Sequence, residues 1–397
     1  MLLVLLLACS LDPRGGVHPI VDGQVLDGAE LALLGSLLLS GRRRRRSRSP
    51  TVFVRATTAF VGVTTALAAL SPGIARADGV DATPGAIRTK LRGPKGLERF
   101  EPSAAVGVDD QLCVGSDKAL KWGERRASTW SCYPLDALDG GRVRPSSGGV
   151  IAGAGKIEGA TPLPGGATAW WDARGARWWT CRGLSCQGGD PVDLAAASAL
   201  ADGTVCRVDV EAIATTRPAS GSGSQPWLGL RGFDLPVDGS CDHPRFQAHG
   251  AVLDPDGRVR WDGGGLPLDP DHLDHRFGIS GMDAVPDGSR LWLTWSYEGP
   301  GDDAGSVAGR LAWLPLVAGR LPPDAALHVC VDDTGRPRAL HGKPEALVVR
   351  PDGFLVVYDN DDDRKHPDAY DLRPDEDYVE RLPAHWCARE REFFGSW

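Results

Sequence analysis

Three glutamates recur with a basic residue two positions ahead of each: Arg99 before Glu101, Lys156 before Glu158, and Lys343 before Glu345. On an extended strand, residues two apart share a face. Each pair therefore presents an acid and a base to the same side. If equivalent strands surround one axis, Glu101, Glu158 and Glu345 converge. Carboxylates sharing a small volume repel one another until something positive neutralises them. Calcium is the natural cation for such a set, being a hard ion served by oxygen donors. The plainer alternative keeps Arg99, Lys156 and Lys343 as the neutralising charges, in a stacked ring of ion pairs that fixes register or receives a ligand. Asp172 and Asp359 stand at equal distances beyond Glu158 and Glu345. They are candidates for the same metal site, or else cap loops by accepting backbone hydrogen bonds.

The elements that would position these groups are hairpins. The fullest copy runs from Lys343 through Glu345-Ala346-Leu347-Val348-Val349 to the turn Pro351-Asp352-Gly353, then back through Phe354-Leu355-Val356-Val357-Tyr358 to Asp359. Two short apolar runs about a Pro-Asp-Gly turn read as a tight β-hairpin. Glu158 leads likewise to Pro164-Gly165-Gly166, and Glu101 to Asp109-Asp110. Degenerate copies start at Ala195 and Ser280, and His249 precedes the turn Asp254 to Gly257 at similar spacing. A recurring hairpin unit names a β-propeller. The predicted fold is all-β, a single β-propeller of six blades in preference to five or seven, with the strand Ala86–Leu91 completing the last blade. The 51 glycines and 30 prolines, without helical periodicity after residue 78, exclude a helical protein.

The front of the chain reads differently. Arg42 to Arg46 form a basic cluster, Phe53 to Leu70 is apolar, and Ala75-Arg76-Ala77 offers small residues for cleavage. That order is a secretory signal over residues 42–77, with the folded domain at 78–397. Residues 1–41 are read as a leader from a start site placed upstream. A disordered extension is the next reading, and a lipoprotein box at Leu6-Leu7-Ala8-Cys9 the third. The expected location is periplasmic or extracellular. The chain carries a formal charge of −8, and removing the basic front makes the remainder more acidic. Nucleic acid is thereby excluded as a partner, and small molecules, glycans or proteins are favoured. No stretch after residue 78 is long and apolar enough for a membrane helix. A monomer is expected.

Setting Cys9 aside leaves eight cysteines, an even number behind an export signal, which reads as a disulfide framework. Nearest-neighbour pairing gives Cys113 with Cys132, Cys181 with Cys186, Cys206 with Cys241, and Cys330 with Cys387. No G-x-S-x-G elbow and no H-E-x-x-H occurs. The acidic run Asp359 to Asp363 lacks the glycine and the bidentate glutamate of a calcium loop, since Arg364 and Tyr370 take those places. The tryptophans Trp170, Trp171, Trp178 and Trp179 suit packing between blades, or stacking on sugars if exposed.

The segments Arg99-Phe100-Glu101-Pro102, Lys156-Ile157-Glu158-Gly159 and Lys343-Pro344-Glu345-Ala346, with Tyr358-Asp359-Asn360-Asp361, resemble the phytase-like, or esterase-like, bacterial β-propellers and related secreted propellers. They are more distantly similar to gluconolactonase-like propellers, in which a blade-opening glutamate binds a divalent cation. The resemblance implies metal ligation by Glu101, Glu158 and Glu345, with Ala195 and Ser280 departing from the pattern. Two functions follow: a ligand-binding or scaffold propeller, or a calcium-dependent hydrolase of phosphate esters or lactones.

Overall fold

The computed structural model describes residues 8–11, 17–21, 24–25, 85–93, 100–117, 120–122, 125–216, 226–268, 276–297, 308–322, 324–340, 342–359 and 377–393. The chain divides into two units, Met1–Val80 and Asp81–Trp397. The first carries a small antiparallel sheet of β1 (Ala8–Leu11), β2 (Val17–Val21) and β3 (Gln24–Val25). The arginine cluster, the apolar run Phe53 to Leu70, the loop 217–225 and the acidic run 360–363 lie outside the described residues.

The second unit is all-β and builds five sheets. It begins with β4 (Ile87–Leu91). Blade one contains β5 (Pro102–Val108), β6 (Gln111–Ser116), β8 (Arg125–Pro134) and β10 (Ser147–Ala152), with the short β7 (Leu120–Trp122) beside β8 and β9 (Gly141–Val143) passing to another sheet. Blade two is the meander β11 (Ile157–Leu163), β12 (Ala167–Asp172), β13 (Arg177–Arg182) and β14 (Ser185–Pro191). Blade three contains β15 (Arg207–Thr215), β16 (Pro226–Val237), β17 (Ser240–Leu253) and β18 (Val259–Gly264).

Blade four contains β19 (Gly278–Ala284), β20 (Arg290–Tyr297), β21 (Ala308–Pro315) and β22 (Leu327–Cys330), with β23 (Ala339–Leu340) on β21. Blade five contains β24 (Lys343–Arg350), β25 (Gly353–Asp359) and β26 (Tyr378–Pro383). Strand β4 pairs antiparallel with β26 and parallel with β9. The last strand, β27 (Glu390–Phe393), pairs with β22.

Each blade meets the next through one apolar cluster, and the clusters run round in a cycle. Val106 and Cys113 of blade one pack with Ile157 and Trp170 of blade two, and Trp171 with Val210 and Leu230 of blade three. Val252 and Trp261 pack with Leu293 and Trp295 of blade four, and Trp292 and Leu311 with Phe354 and Val356 of blade five. Val348 and Leu355 then return to Ala105 and Val114 of blade one. A sheet covered on both faces needs continuous rather than alternating apolar residues. That is why β25 is buried along its whole length. The adjacent tryptophans of β12 divide between the two faces: Trp170 packs toward blade one, and Trp171 donates its indole N–H to the Val210 carbonyl at 3.0 Å.

The propeller therefore has five blades, where the hairpin spacing predicts six. Two of the expected blade openings are not openings. Ala195 begins the one-turn helix α1 (Ala195–Ser198), and His249 lies inside the long strand β17, whose turn at Asp254 leads only to β18. The expected disulfides are all found: Cys113–Cys132, Cys181–Cys186, Cys206–Cys241 and Cys330–Cys387. The last joins β22 to the turn of 3-10 helix at Ala384–Cys387.

Candidate functional site

The innermost strand of every blade carries a β-bulge near its start. Its pairing with the second strand skips Ser103 in β5, Glu158 in β11, Glu211 in β15, Ser280 in β19 and Glu345 in β24. A bulged residue drops out of the ladder and its side chain is re-aimed. Each is followed by glycine or alanine: Ala104, Gly159, Ala212, Gly281 and Ala346. The small residue is required by the approach of the neighbouring blade. A Cβ on Gly159 would lie 3.0 Å from the Ile213 nitrogen, and one on Gly281 would lie 3.0 Å from the Ala346 backbone.

This register corrects the equivalence read from the acids alone. The counterpart of Glu158 and Glu345 in blade one is Ser103, not Glu101. Glu101 instead occupies the position held by Lys156, Asp209, Gly278 and Lys343 in the other blades. It is buried, with its backbone N–H donating to Ser116 Oγ at 3.4 Å. Blade three contributes Glu211, which the sequence reading missed. The signal was present as a five-residue word: Glu101-Pro102-Ser103-Ala104-Ala105, Lys156-Ile157-Glu158-Gly159-Ala160, Asp209-Val210-Glu211-Ala212-Ile213, Gly278-Ile279-Ser280-Gly281-Met282 and Lys343-Pro344-Glu345-Ala346-Leu347. Aligned on the small fourth residue, the five copies fall into register.

Glu158, Glu211 and Glu345 line one narrow cavity on the propeller axis, with about 10 Å³ open to the centre of a water molecule and part of it open to solvent. Beyond the carboxylates its wall is apolar, with Ala105, Ala160, Ile213, Met282 and Leu347, one residue from each blade. The two serines at the bulge position are turned into the protein. Ser103 Oγ donates to the Ile157 carbonyl of the next blade, and Ser280 Oγ lies 3.4 Å from the Thr294 carbonyl.

Every carboxylate of the cavity has a cation of its own. Lys156 pairs with Glu158, and Lys343 Nζ lies 2.9 Å from Glu345 Oε1. Glu211 takes its partner from the second strand of its blade, where Arg231 is itself bulged out of the pairing between Leu230 and Gly232. Arg231 donates to Glu211 Oε1, approaches Asp209 at 3.7 Å, and lies 4.8 Å over the Phe246 ring. The carboxylates are nearly sealed, at 3% side-chain exposure for Glu158 and Glu211 and 4% for Glu345. Glu211 Oε2 is buried with no hydrogen-bond partner among the described residues.

Burial lifts the Glu211 carboxyl well above the usual carboxylate range, opposed by Arg231 and reinforced by Asp209, Glu345 and Glu158. Burial alone would lower the Lys156 ammonium, but Glu158, Glu211 and Asp209 outweigh it and hold the group above its ordinary value. Lys156 and Lys343 thus pair with cavity carboxylates, and Arg99 lies outside the described residues.

Asp172 and Asp359 are not equivalent. Three residues turn the hairpin between β11 and β12, and two turn the one between β24 and β25, so equal distances in sequence reach different rungs. Asp172 Oδ1 accepts the backbone N–H groups of Lys156 at 3.1 Å and Gly175 at 3.3 Å, which is loop capping. Asp359 is buried opposite Lys343 in the ladder. Among the described residues, no group of three or more His, Cys, Asp or Glu side chains is arranged to hold a metal ion. Nor is any helix among them long and apolar enough to cross a membrane.

No family model matches the chain, and no curated protein matches it. Solved structures do. The catalytic domain of the GH62 α-L-arabinofuranosidase of Coprinopsis cinerea is 10% identical, over 74% of this chain and 95% of that one, with a TM-score of 0.40. Virginiamycin B lyase from Staphylococcus aureus is 10% identical over 75% and 99%, with a TM-score of 0.34. A putative exported protein of Bacteroides fragilis is 7% identical over 76% and 96%, also at 0.34.

Proposed function

We propose that the protein is an exported, non-catalytic binding propeller that takes its ligand where the central cavity opens between Glu158, Glu211 and Glu345. The observation that carries this reading is the pairing of each cavity carboxylate with a cation from its own blade. A catalytic metal needs carboxylates free to bind it and a position open to substrate. Here Lys156, Lys343 and Arg231 each hold one oxygen of a cavity carboxylate. A general base needs an oxygen within reach of a substrate proton. The cavity, with about 10 Å³ open to the centre of a water molecule, holds about one water and is too small for a phosphorylated ring or a sugar lactone to enter. Export is supported by four disulfides, which persist in oxidising compartments outside the cytosol. The compartment we propose is the periplasm or the medium, and the ligand a small molecule, a glycan or a protein met there.

A second reading, the calcium-dependent hydrolase of phytase-like or gluconolactonase-like type, draws on the three carboxylates facing one cavity and on the unpartnered Glu211 Oε2. It requires Lys156 and Lys343 to swing away as the ion arrives. Metal analysis of the purified chain, wild type against Glu158→Gln, run beside a phosphoesterase and lactonase screen, separates the two. The binding reading expects less than one divalent ion per chain and no hydrolysis in either form. One calcium per wild-type chain, lost with a hydrolytic activity in the variant, overturns it.

A further inference from the structure

The outer end of blade three departs from its sheet. Strand β16 lies between β15 and β17, so residues on the two flanking strands should stand two strand spacings apart, about 9.5 Å. Cys206, just ahead of β15, and Cys241 on β17 are joined by a disulfide with their Cα atoms only 5.6 Å apart. The pairing of β16 with β17 shows how the gap is closed. Leu235 faces Arg245 and Val237 faces Ser240, so Pro236 alone stands opposite residues 241–244. Extra residues in one strand bend it out of the sheet. The tip beyond turns on Asp238 and Gly239, at φ of 51° and 78°, and leans back toward the inner strand β15. Its Ser240 Oγ bonds within the tip, donating to Asp242 Oδ2 at 2.9 Å. Val237 is 44% exposed, and residues 240–245 are exposed with it.

The bridge that holds this tip is also the accessible one. Cys113, Cys132, Cys330 and Cys387 are all buried, and so is Cys181 of the Cys181–Cys186 pair. Cys206 is half-buried and Cys241 is exposed. Thiol–disulfide exchange requires a thiolate to reach one of the two sulfurs, so access decides which bridge opens first. We infer that Cys206–Cys241 is a redox-responsive staple, opened by an external dithiol, and that its opening releases the folded-back tip at residues 237–244 from β15 while the blades stay intact. The exchange runs in two steps. A thiolate of the dithiol attacks Cys241 Sγ to form a mixed disulfide, and Cys206 leaves as a thiolate that takes up a proton. The second thiol of the dithiol then displaces the Cys241 sulfur, so the dithiol ends as its own disulfide and both cysteines end reduced. The blade itself does not hang on the bridge. Strands β15 and β16 stay joined by their ladder from Arg207–Asp234 to Thr215–Pro226 and by the cluster of Val210, Leu230 and Phe233. At the root of the tip, Arg207 keeps its ion pair with Asp234 at 2.8 Å.

The test treats the oxidised full chain with graded dithiothreitol under native conditions, traps free thiols with iodoacetamide and maps them by peptide mass spectrometry. Cys206 and Cys241 are expected to be alkylated about tenfold faster than the cysteines of the other three bridges. Hydrogen exchange on the same samples is expected to quicken about tenfold in residues 237–244 and to stay unchanged in β15 and the other blades. The paired variant Cys206→Ser with Cys241→Ser should show the fast exchange without reductant. If that variant does not fold, the wild-type alkylation order and exchange decide by themselves. Another bridge opening first, or all four opening together, overturns the staple. Cys206 and Cys241 alkylated with exchange in 237–244 unaltered overturns the release. Neither readout involves a cavity ligand, a metal or hydrolysis, so a failure here leaves the binding reading in place, and loss of the binding reading leaves this one.

Discussion

Arg231→Met isolates the electrostatics of the channel. Methionine keeps much of the arginine's length and its contact with the Phe246 ring, but removes the guanidinium that donates to Glu211 and faces Asp209 at 3.7 Å. Asp209 retains Arg207 at 3.5 Å, so the uncompensated group is Glu211, with a side chain only 3% exposed. Removing one partner of a buried ion pair costs roughly 3–5 kcal/mol when the other charge stays behind. Glu211 has an escape, because it can take up a proton. Its carboxyl is already lifted well above the usual range by burial, and Arg231 is the group that opposes the lift. In the variant the carboxyl rises further. A group whose folded value lies above its unfolded one contributes stability that is present below the unfolded value and lost as pH rises through the folded value. The variant should therefore sit within about 2 kcal/mol of wild type in mildly acidic solution and fall toward the full ~3–5 kcal/mol deficit in mildly alkaline solution. Urea unfolding at pH 5 and pH 8, followed by tryptophan fluorescence, measures both. A deficit that is equal at the two values, or larger at pH 5, would refute the burial and pairing assigned to Glu211.

Two further outcomes follow from other parts of the ring. Asp283 on β19 accepts the Val349 N–H of the next blade at 2.8 Å and the Ala284 N–H at 2.9 Å, and burial pushes its carboxyl up to about 7. Because that value is raised, its contribution is complete below about pH 4 and is lost through pH 7, so Asp283→Asn should flatten the fall in stability over that window; an unchanged slope in pH-dependent thermal melts would count against it. Chain-entropy arithmetic gives about 4 kcal/mol for Cys330–Cys387, which closes a separation of 57, and about 2 kcal/mol for Cys181–Cys186, which closes one of 5. Paired Cys→Ser variants should rank in that order in denaturant midpoint, and the reverse order would show that strain or residual unfolded structure governs instead.

The fold was legible because its repeating unit is local. A short apolar run, a turn such as Pro351-Asp352 and a second apolar run are contiguous in sequence, and so was each of the four disulfide pairs among neighbouring cysteines. The blade count was not, because outer strands differ in length from blade to blade. The fourteen residues of β17 brought His249 and the turn at Asp254 into the same apparent spacing as a blade opening. Nothing local distinguishes the turn between a third and fourth strand from the turn between a first and second.

The site was half legible for a related reason. Glu158 and Glu345 were found because each has a lysine two residues ahead, and the ion pair along one strand is written within a single strand. Glu211 has Asp209 in that place, and its cation comes from the adjacent strand as the bulged Arg231. A base two residues ahead of an acid therefore marks Glu101, which has Arg99 ahead of it but stands two residues before the bulge, and does not mark Glu211. What all five blades share is steric: a bulged residue followed by glycine or alanine, where adjoining inner strands come too close for a larger side chain. Charge at the bulge varies with what each blade must balance. Small residues at the close approach do not, so the packing constraint, more than the chemistry it supports, is the better guide to the register of the ring.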